Sequence, residues 1–213
     1  MNESAEPEPE VEFVDARRWV LVVPVKAALV GKTRLGVDVE LVRAISLDTI
    51  EAAARAARVE MVLVPTSDAG LGTVLASHSN VQVLPEDEPR GIGAAIRHAL
   101  ASVSDAVPRA VLLGDLPALD PADLDAALTL AGRQARAFVA DEEGTGTSLV
   151  TAAAEVELVA EFGTDSAARH RELGLVELPI ASGSTLRRDV DTPSQLEAAA
   201  ALGLGPRTRG LLG

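Results

Sequence analysis

The chain contains no cysteine. That absence excludes a disulfide framework, a thiolate metal site and a thiol nucleophile together. Aromatic residues make up only 2% of it, so the core has to be built from Val, Leu, Ile and Ala, which favours many short elements over a few large anchors. Cations are also short. The net charge of -13 opposes nonspecific attraction to nucleic acid or to an anionic membrane, so a polyanionic ligand must be held by local groups. No apolar run approaches the roughly 20 residues that cross a bilayer, and the N-terminus lacks the basic start and apolar segment of a secretion signal. No membrane partner, no nucleic-acid partner and a cytoplasmic location are therefore expected. The three histidines, His78, His98 and His170, are scattered, which argues against a zinc site. His78 and His98 read as surface residues, whereas His170, between Arg169 and Arg171, reads as part of a basic cluster facing an anionic substrate.

What remains is 213 residues with 47% hydrophobic content, enough for one large domain. Residues 1–16 hold Glu3, Glu6, Glu8, Glu10, Glu12 and Asp15 with no Lys or Arg, and read as a disordered acidic tail. Residues 17–213 read as a single domain. Short apolar runs at 19–25, 61–64, 81–84 and 110–113 have the continuous character of strands buried on both faces. Helical patterns at 40–57, 92–103 and 121–132 lie between and after them, the last with Asp120 placed as its N-cap. This alternation predicts an α/β fold, a three-layer α/β/α sandwich around a mostly parallel sheet. Further strands are expected at 137–140, 149–153, 175–178 and 186–190, and a closing helix at 194–202.

The triplet Gly31-Lys32-Thr33 follows the first strand, where a phosphate-binding loop would sit. A P-loop needs a second glycine five residues earlier so that the backbone can curl round phosphates. Lys26 stands there instead, and the P-loop is rejected. A loop carrying Lys26, Lys32 and Arg34 nevertheless follows the C-terminal end of a parallel strand, the edge where open α/β sheets place ligands. Three cations there suit a triphosphate.

Carboxylates complete the pattern. In Leu112-Leu113-Gly114-Asp115 a strand runs directly into Asp115, while Asp120 serves the following helix, so a capping role leaves Asp115 unexplained. In Arg187-Arg188-Asp189-Val190-Asp191, alternation along an extended strand would point Asp189 and Asp191 to one face. Two such carboxylates repel unless a cation lies between them, and hard oxygen donors favour magnesium or manganese. Asp191 is also expected to take part in capping the helix that follows. The small-residue loops 144–147 and 163–166 offer backbone N–H groups and hydroxyls to a small anion.

Five blocks, V-P-V-K-A-A-L-V-G-K-T-R-L, L-L-G-D-L-P-A-L, F-V-A-D-E-E-G-T-G-T-S-L, F-G-T-D-S-A-A-R-H-R and R-R-D-V-D-T-P-S-Q-L, together resemble the guanylyltransferase family that makes the phosphodiester precursor of the deazaflavin coenzyme F-420, most closely its actinobacterial branch. The resemblance implies a nucleotidyltransferase version of the sandwich fold. It implies transfer of GMP from GTP to a phosphorylated three-carbon acid with release of pyrophosphate, the acid being phosphoenolpyruvate in the actinobacterial branch and 2-phospho-L-lactate in archaeal relatives. Carried over, it makes Asp115, Asp189 and Asp191 the ligands of one or two magnesium ions and catalytic residues together with Lys26. Thr147, Gly163 and Ser166 become the acceptor-binding residues, and Lys26, Lys32 and Arg34 are assigned to the nucleotide. The first loop lacks the glycine-rich opening of the wider nucleotidyltransferases, as this branch does, so guanine selection has no motif. The alternatives are another acceptor, 2-phospho-L-lactate or 3-phosphoglycerate, a different nucleotidyltransferase, or a nucleotide-binding regulatory protein without catalysis.

Overall fold

A computed structural model describes residues 18–25, 39–87 and 91–213. The acidic tail and the cations Lys26, Lys32 and Arg34 lie outside these residues. The elements run β1 (Trp19–Val22), α1 (Val39–Arg55), β2 (Val59–Thr66), α2 (Leu71–Leu75), β3 (Val81–Pro85), α3 (Ile92–Leu100), β4 (Arg109–Leu112), α4 (Pro121–Ala131), β5 (Arg136–Ala140), β6 (Thr147–Ala152), α5 (Ser166–Glu172), β7 (Val176–Glu177), α6 (Pro193–Leu202) and α7 (Pro206–Leu212). Seven strands form one sheet in the order β3-β2-β1-β4-β6-β5-β7.

The apolar runs become strands because a central strand buries both faces. In β1, Leu21 packs into the core layer that holds Leu47 and Ile50 of α1 and Leu124 and Leu128 of α4. Its neighbour Val22 points the other way, to Ile96 and Ala99 of α3. Beyond β4, Phe138 and Val150 meet Ala167 of α5 in a further cluster. The result is the expected three-layer sandwich. The pairs β1–β2, β2–β3, β1–β4 and β5–β7 are parallel. Strand β6 is antiparallel to both β4 and β5, because the short link 141–146 can close a hairpin but cannot carry a crossover. After β3 the chain returns to the centre and places β4 on the free side of β1, so the strand order reverses between β1 and β4. Ligands of open α/β sheets bind beside the C-terminal ends of strands at such a reversal.

Asp120 caps α4 as expected, its carboxylate accepting from Ala122 N at 2.9 Å. The strand expected at 186–190 is absent. Residues Thr185–Arg187 form a 3₁₀ turn, and the backbone groups around it are satisfied locally. Arg187 N bonds Ser184 O at 3.1 Å, and Asp123 accepts from Thr185 N at 2.7 Å. Leu186 and Val190 are both fully buried, but in different clusters, Leu186 with the α1–α4 layer and Val190 with Leu41, Leu196 and Ala199, so they do not share one strand face. Nor does Asp191 cap α6, since Thr192 does, its hydroxyl accepting from Gln195 N at 3.3 Å.

Two helices had no clear sequence signal. Helix α2 is a short stretch, and α7 is held from outside itself. Asp48 of α1 accepts from Arg207 N at 3.1 Å and Thr208 N at 2.7 Å, while Glu51 takes the Arg207 guanidinium at 2.6 Å. These bonds satisfy N–H groups that a helix start leaves open.

Candidate active site

Strand β4 leads through Leu113 and Gly114 to Asp115 at the reversal point. Gly114 is closely packed, since a Cβ there would sit 3.3 Å from Val25 Cγ2 and 3.4 Å from Pro24 O. The carbonyl of Asp115 accepts from Val190 N at 3.0 Å, which fastens the 189–191 segment against the end of β4. Asp115 and Asp189 are thereby neighbours, although the strand that would have paired Asp189 with Asp191 does not exist.

Two further carboxylates enter from the β5–β6 hairpin. One carboxylate oxygen from each of Asp141, Glu143 and Asp189 lies within 4.8 Å of the other two. Asp141 is buried, and its oxygens accept from Thr145 N at 2.9 Å and Gly146 N at 2.7 Å. A side chain at Gly146 would collide with that carboxylate. Arg187 braces the same hairpin, its Nη2 donating to Asp141 O at 2.8 Å and its Nη1 to Ile180 O at 3.0 Å. Glu142 points towards cations, 3.7 Å from Arg187 and 3.6 Å from Arg188. A hydrogen bond from Ser182 opposes the effect of burial and, helped by Gly183 N and both arginines, holds its carboxyl below the usual range.

Asp189 bears the consequence of this crowding. Burial first, then the charges of Asp115, Asp141, Asp191 and Glu143, push its pKa from 3.8 up to about 7. Its Oδ1 is buried without a hydrogen-bond partner among the described residues. An all-oxygen donor set with mutually repelling carboxylates and an unsatisfied buried oxygen fits a hard divalent cation. The acidic cluster can hold a metal ion. Asp191 is exposed at its edge, its N–H bonded to Gln195 Oε1 at 2.9 Å.

The residues assigned to the acceptor also come together. Ala167 N at the start of α5 donates to Thr145 O at 3.1 Å, joining the 163–166 loop to the hairpin, and Ser166 N closes that loop onto Gly163 O at 3.1 Å. Gly163 has φ +118 and Asp165 φ +55, left-handed conformations that glycine adopts freely and aspartate tolerates. Thr147 and Ser166 are nearly inaccessible, 3% and 1% exposed. Because Asp141 accepts from Gly146 N, Thr147 follows directly after a residue bound to the acidic cluster.

His170 contradicts its sequence reading. It does not face solvent or a ligand with Arg169 and Arg171 but is fully buried, between the rings of Phe138 and Phe162 at 5.5 and 5.9 Å. Burial, reinforced by Arg169, lowers its pKa to about 4, so it is neutral at pH 7. Asp141 and Glu143, which join Asp189 in the acidic cluster, were not among the expected candidates, although β5 runs into Asp141 just as β4 runs towards Asp115. That parallel was the available signal.

A carboxylate cluster at the reversal point of an open α/β sheet fits a nucleotidyltransferase, and residues 42–174 match the MobA-like NTP transferase domain. The fold is shared with a nucleotidyl transferase from Methanothermobacter thermautotroptrophicus, with a TM-score of 0.63 at 15% identity over 87% of this chain and 97% of that one. Sequence similarity is much closer to the phosphoenolpyruvate guanylyltransferase of Streptomyces avermitilis, 42% identical over 90% of this chain and 92% of the relative. That of Streptomyces coelicolor is 43% identical over 90% and 94%. The chain belongs to the phosphoenolpyruvate guanylyltransferase family. Among the described residues no helix is long and apolar enough to cross a membrane.

Proposed function

We propose that this chain transfers GMP from GTP to phosphoenolpyruvate, giving enolpyruvoyl-2-diphospho-5'-guanosine and pyrophosphate, as a step towards coenzyme F-420. Relatives of that name share 42–43% of its residues over 90% of its length, and the carboxylate cluster beside the β1–β4 reversal is what carries the chemistry.

In this reading a phosphate oxygen of phosphoenolpyruvate attacks the α-phosphorus of GTP in line, and the bond from that phosphorus to the β-phosphate oxygen breaks. The acceptor phosphate is already ionised near neutral pH, so no strong general base is required. The chain's task is to bring two anions together and hold them. Lys26, Lys32 and Arg34 follow Val25 in the sequence, and Val25 bridges to Thr66 at the end of β2. They take the triphosphate and, with Lys26 foremost, the leaving pyrophosphate. Thr147, Gly163 and Ser166 take the three-carbon acid with hydroxyl and backbone donors. Asp115, Asp189 and Asp191 hold one or two magnesium ions, with manganese as the substitute and with Asp141 and Glu143 adding negative charge beside them. A metal held there would supply positive charge and Lewis acidity to the bound phosphates. Asp189 must lose its proton to serve as a ligand, which its raised pKa makes sensitive to pH near neutrality. Residues 17–213 suffice for this work as one unit, and the substrates are small molecules, not nucleic acid.

The test is pyrophosphate release measured with GTP, ATP, CTP and UTP, each offered phosphoenolpyruvate, 2-phospho-L-lactate or 3-phosphoglycerate. GTP with phosphoenolpyruvate should be the fastest pair. A faster pair would replace the substrates named here, and GTP binding without turnover on any acceptor would make the chain a regulatory binder.

A further inference from the structure

The ring of His170 makes two hydrogen bonds among the described residues, and together they fix where its proton sits. The N–H of Glu161 points at Nε2 from 3.0 Å. A backbone N–H is always a donor, so Nε2 must be the acceptor and carries no hydrogen. The opposite tautomer would set two N–H groups head to head at that distance. A neutral imidazole has one ring proton, which therefore lies on Nδ1. Nδ1 is 2.9 Å from Thr147 Oγ1, so the ring donates to the hydroxyl and the hydroxyl accepts. With one lone pair of Thr147 occupied in this way, its own hydrogen is directed away from the ring and is left to donate elsewhere. A hydroxyl locked as a donor suits an anionic oxygen, whereas a freely rotating one must be ordered when the ligand arrives.

We propose that His170 is a positioning residue that makes Thr147 an obligate hydrogen-bond donor to the carboxylate or phosphate of the acceptor. The proposal rests on the reading of Thr147 as an acceptor-binding residue. Its surroundings support a fixed ring rather than a mobile one. Phe138 and Phe162 flank it, and the low pKa produced by burial keeps it neutral. Arg169, which could compete for an anion, turns away to donate to Glu161 O at 3.2 Å, and Arg171 pairs with Glu177 at 2.7 Å. The same Glu161 peptide region is thus held by two side chains of α5. The chain of contacts from Glu161 through His170 to Thr147 ends beside the carboxylates, since Gly146 N is bound to Asp141.

Two amide substitutions separate the two halves of the ring. The amide nitrogen of His170→Asn lies where Nδ1 does and keeps the donor to Thr147. His170→Gln can accept from Glu161 N at the Nε2 position but offers nothing at Nδ1. In steady-state assays of the magnesium-loaded enzyme, His170→Gln should raise the KM for the acceptor about tenfold or more, the scale of one hydrogen bond to a charged group. The KM for GTP should stay within about twofold, and His170→Asn should restore acceptor KM to within about threefold. Thr147→Val should match or exceed the Gln effect, and adding His170→Gln to it should change nothing further. An equal acceptor KM for Gln and Asn variants, with Thr147→Val impaired, would overturn the role of His170 alone. An unimpaired Thr147→Val would overturn the assignment of Thr147 itself. Wild-type protein offers a check independent of folding in the variants: ring nitrogen NMR shifts should identify a neutral, Nδ1-protonated His170, and an Nε2-protonated ring would refute the proposal.

Discussion

Replacing Asp189 with asparagine should make the metal-free protein more stable, although it removes a proposed metal ligand. The carboxyl titrates at about 7 in the fold against 3.8 ordinarily, so the folded chain holds this proton more tightly than the unfolded one. Between these two values the unfolded state has lost the proton and the folded state has not. Stability linked to this group is therefore fully present below about pH 4, falls as pH rises, and is lost above about pH 7. Each unit corresponds to ~1.36 kcal/mol, which sets a ceiling of about 4 kcal/mol on the penalty at pH 8. Part of that repulsion is shared among Asp115, Asp141, Asp191 and Glu143, so the gain from a neutral amide is put at about 2 kcal/mol. For a chain of this size that is a rise of roughly 4–8 °C in Tm. Thermal denaturation in EDTA from pH 4 to pH 8.5 reads it directly, and the difference between variant and wild type should vanish towards pH 4. Added magnesium should raise the Tm of the wild type and raise that of Asp189→Asn much less, because a bound cation relieves the same repulsion. A variant less stable than wild type at pH 8 in EDTA would show that Asp189 is not an electrostatic burden.

The other predictions concern the supports of the site. Asp123 accepts from Ser184 Oγ at 2.9 Å, and from Thr185 N and Thr185 Oγ1 at 2.7 Å each. Burial raises its pKa, but these bonds outweigh it and leave a net lowering. Asp123→Ala should destabilise by about 1–3 kcal/mol, in the range for stranded polar partners. Its effect in urea denaturation should be present above the ordinary carboxylate pKa and fade as pH falls through the lower folded value. Gly146→Ala forces a Cβ into the Asp141 carboxylate, so it should cost about 1–3 kcal/mol. It should also weaken magnesium binding measured by calorimetry, whereas Gly144→Ala, with open space around its Cβ position, should leave magnesium affinity unchanged while straining its own φ of +75.

The architecture was legible because its central strands β1, β2 and β4 are largely buried on both faces and announce themselves as apolar runs. Asp115 was legible for the same reason, as a charge at the end of such a run. Asp189 was found through an incorrect intermediate. Its pairing with Asp115 comes from the Val190–Asp115 backbone bond and not from strand alternation, and Leu186 and Val190 gave an apolar pattern too short to distinguish a turn from a strand. Helix α7 was illegible because its start is satisfied by Asp48 and Glu51 of α1, partners distant in sequence. His170 was misread for a related reason. Arg169 and Arg171 suggested an exposed basic cluster, but a helix turns adjacent residues to different faces, and the middle one faces Phe138 and Phe162.

In the proposed reaction a phosphorylated three-carbon acid is joined to GMP at the Asp115–Asp189 end of the sheet. Mass spectrometry of the products from the protein, GTP, magnesium and phosphoenolpyruvate tests it most directly. A species with the mass of phosphoenolpyruvate joined to GMP is expected, with one pyrophosphate for each, and it should be lost in Asp189→Asn. GTP left intact, or hydrolysed to GDP or GMP with no joined species, would contradict it.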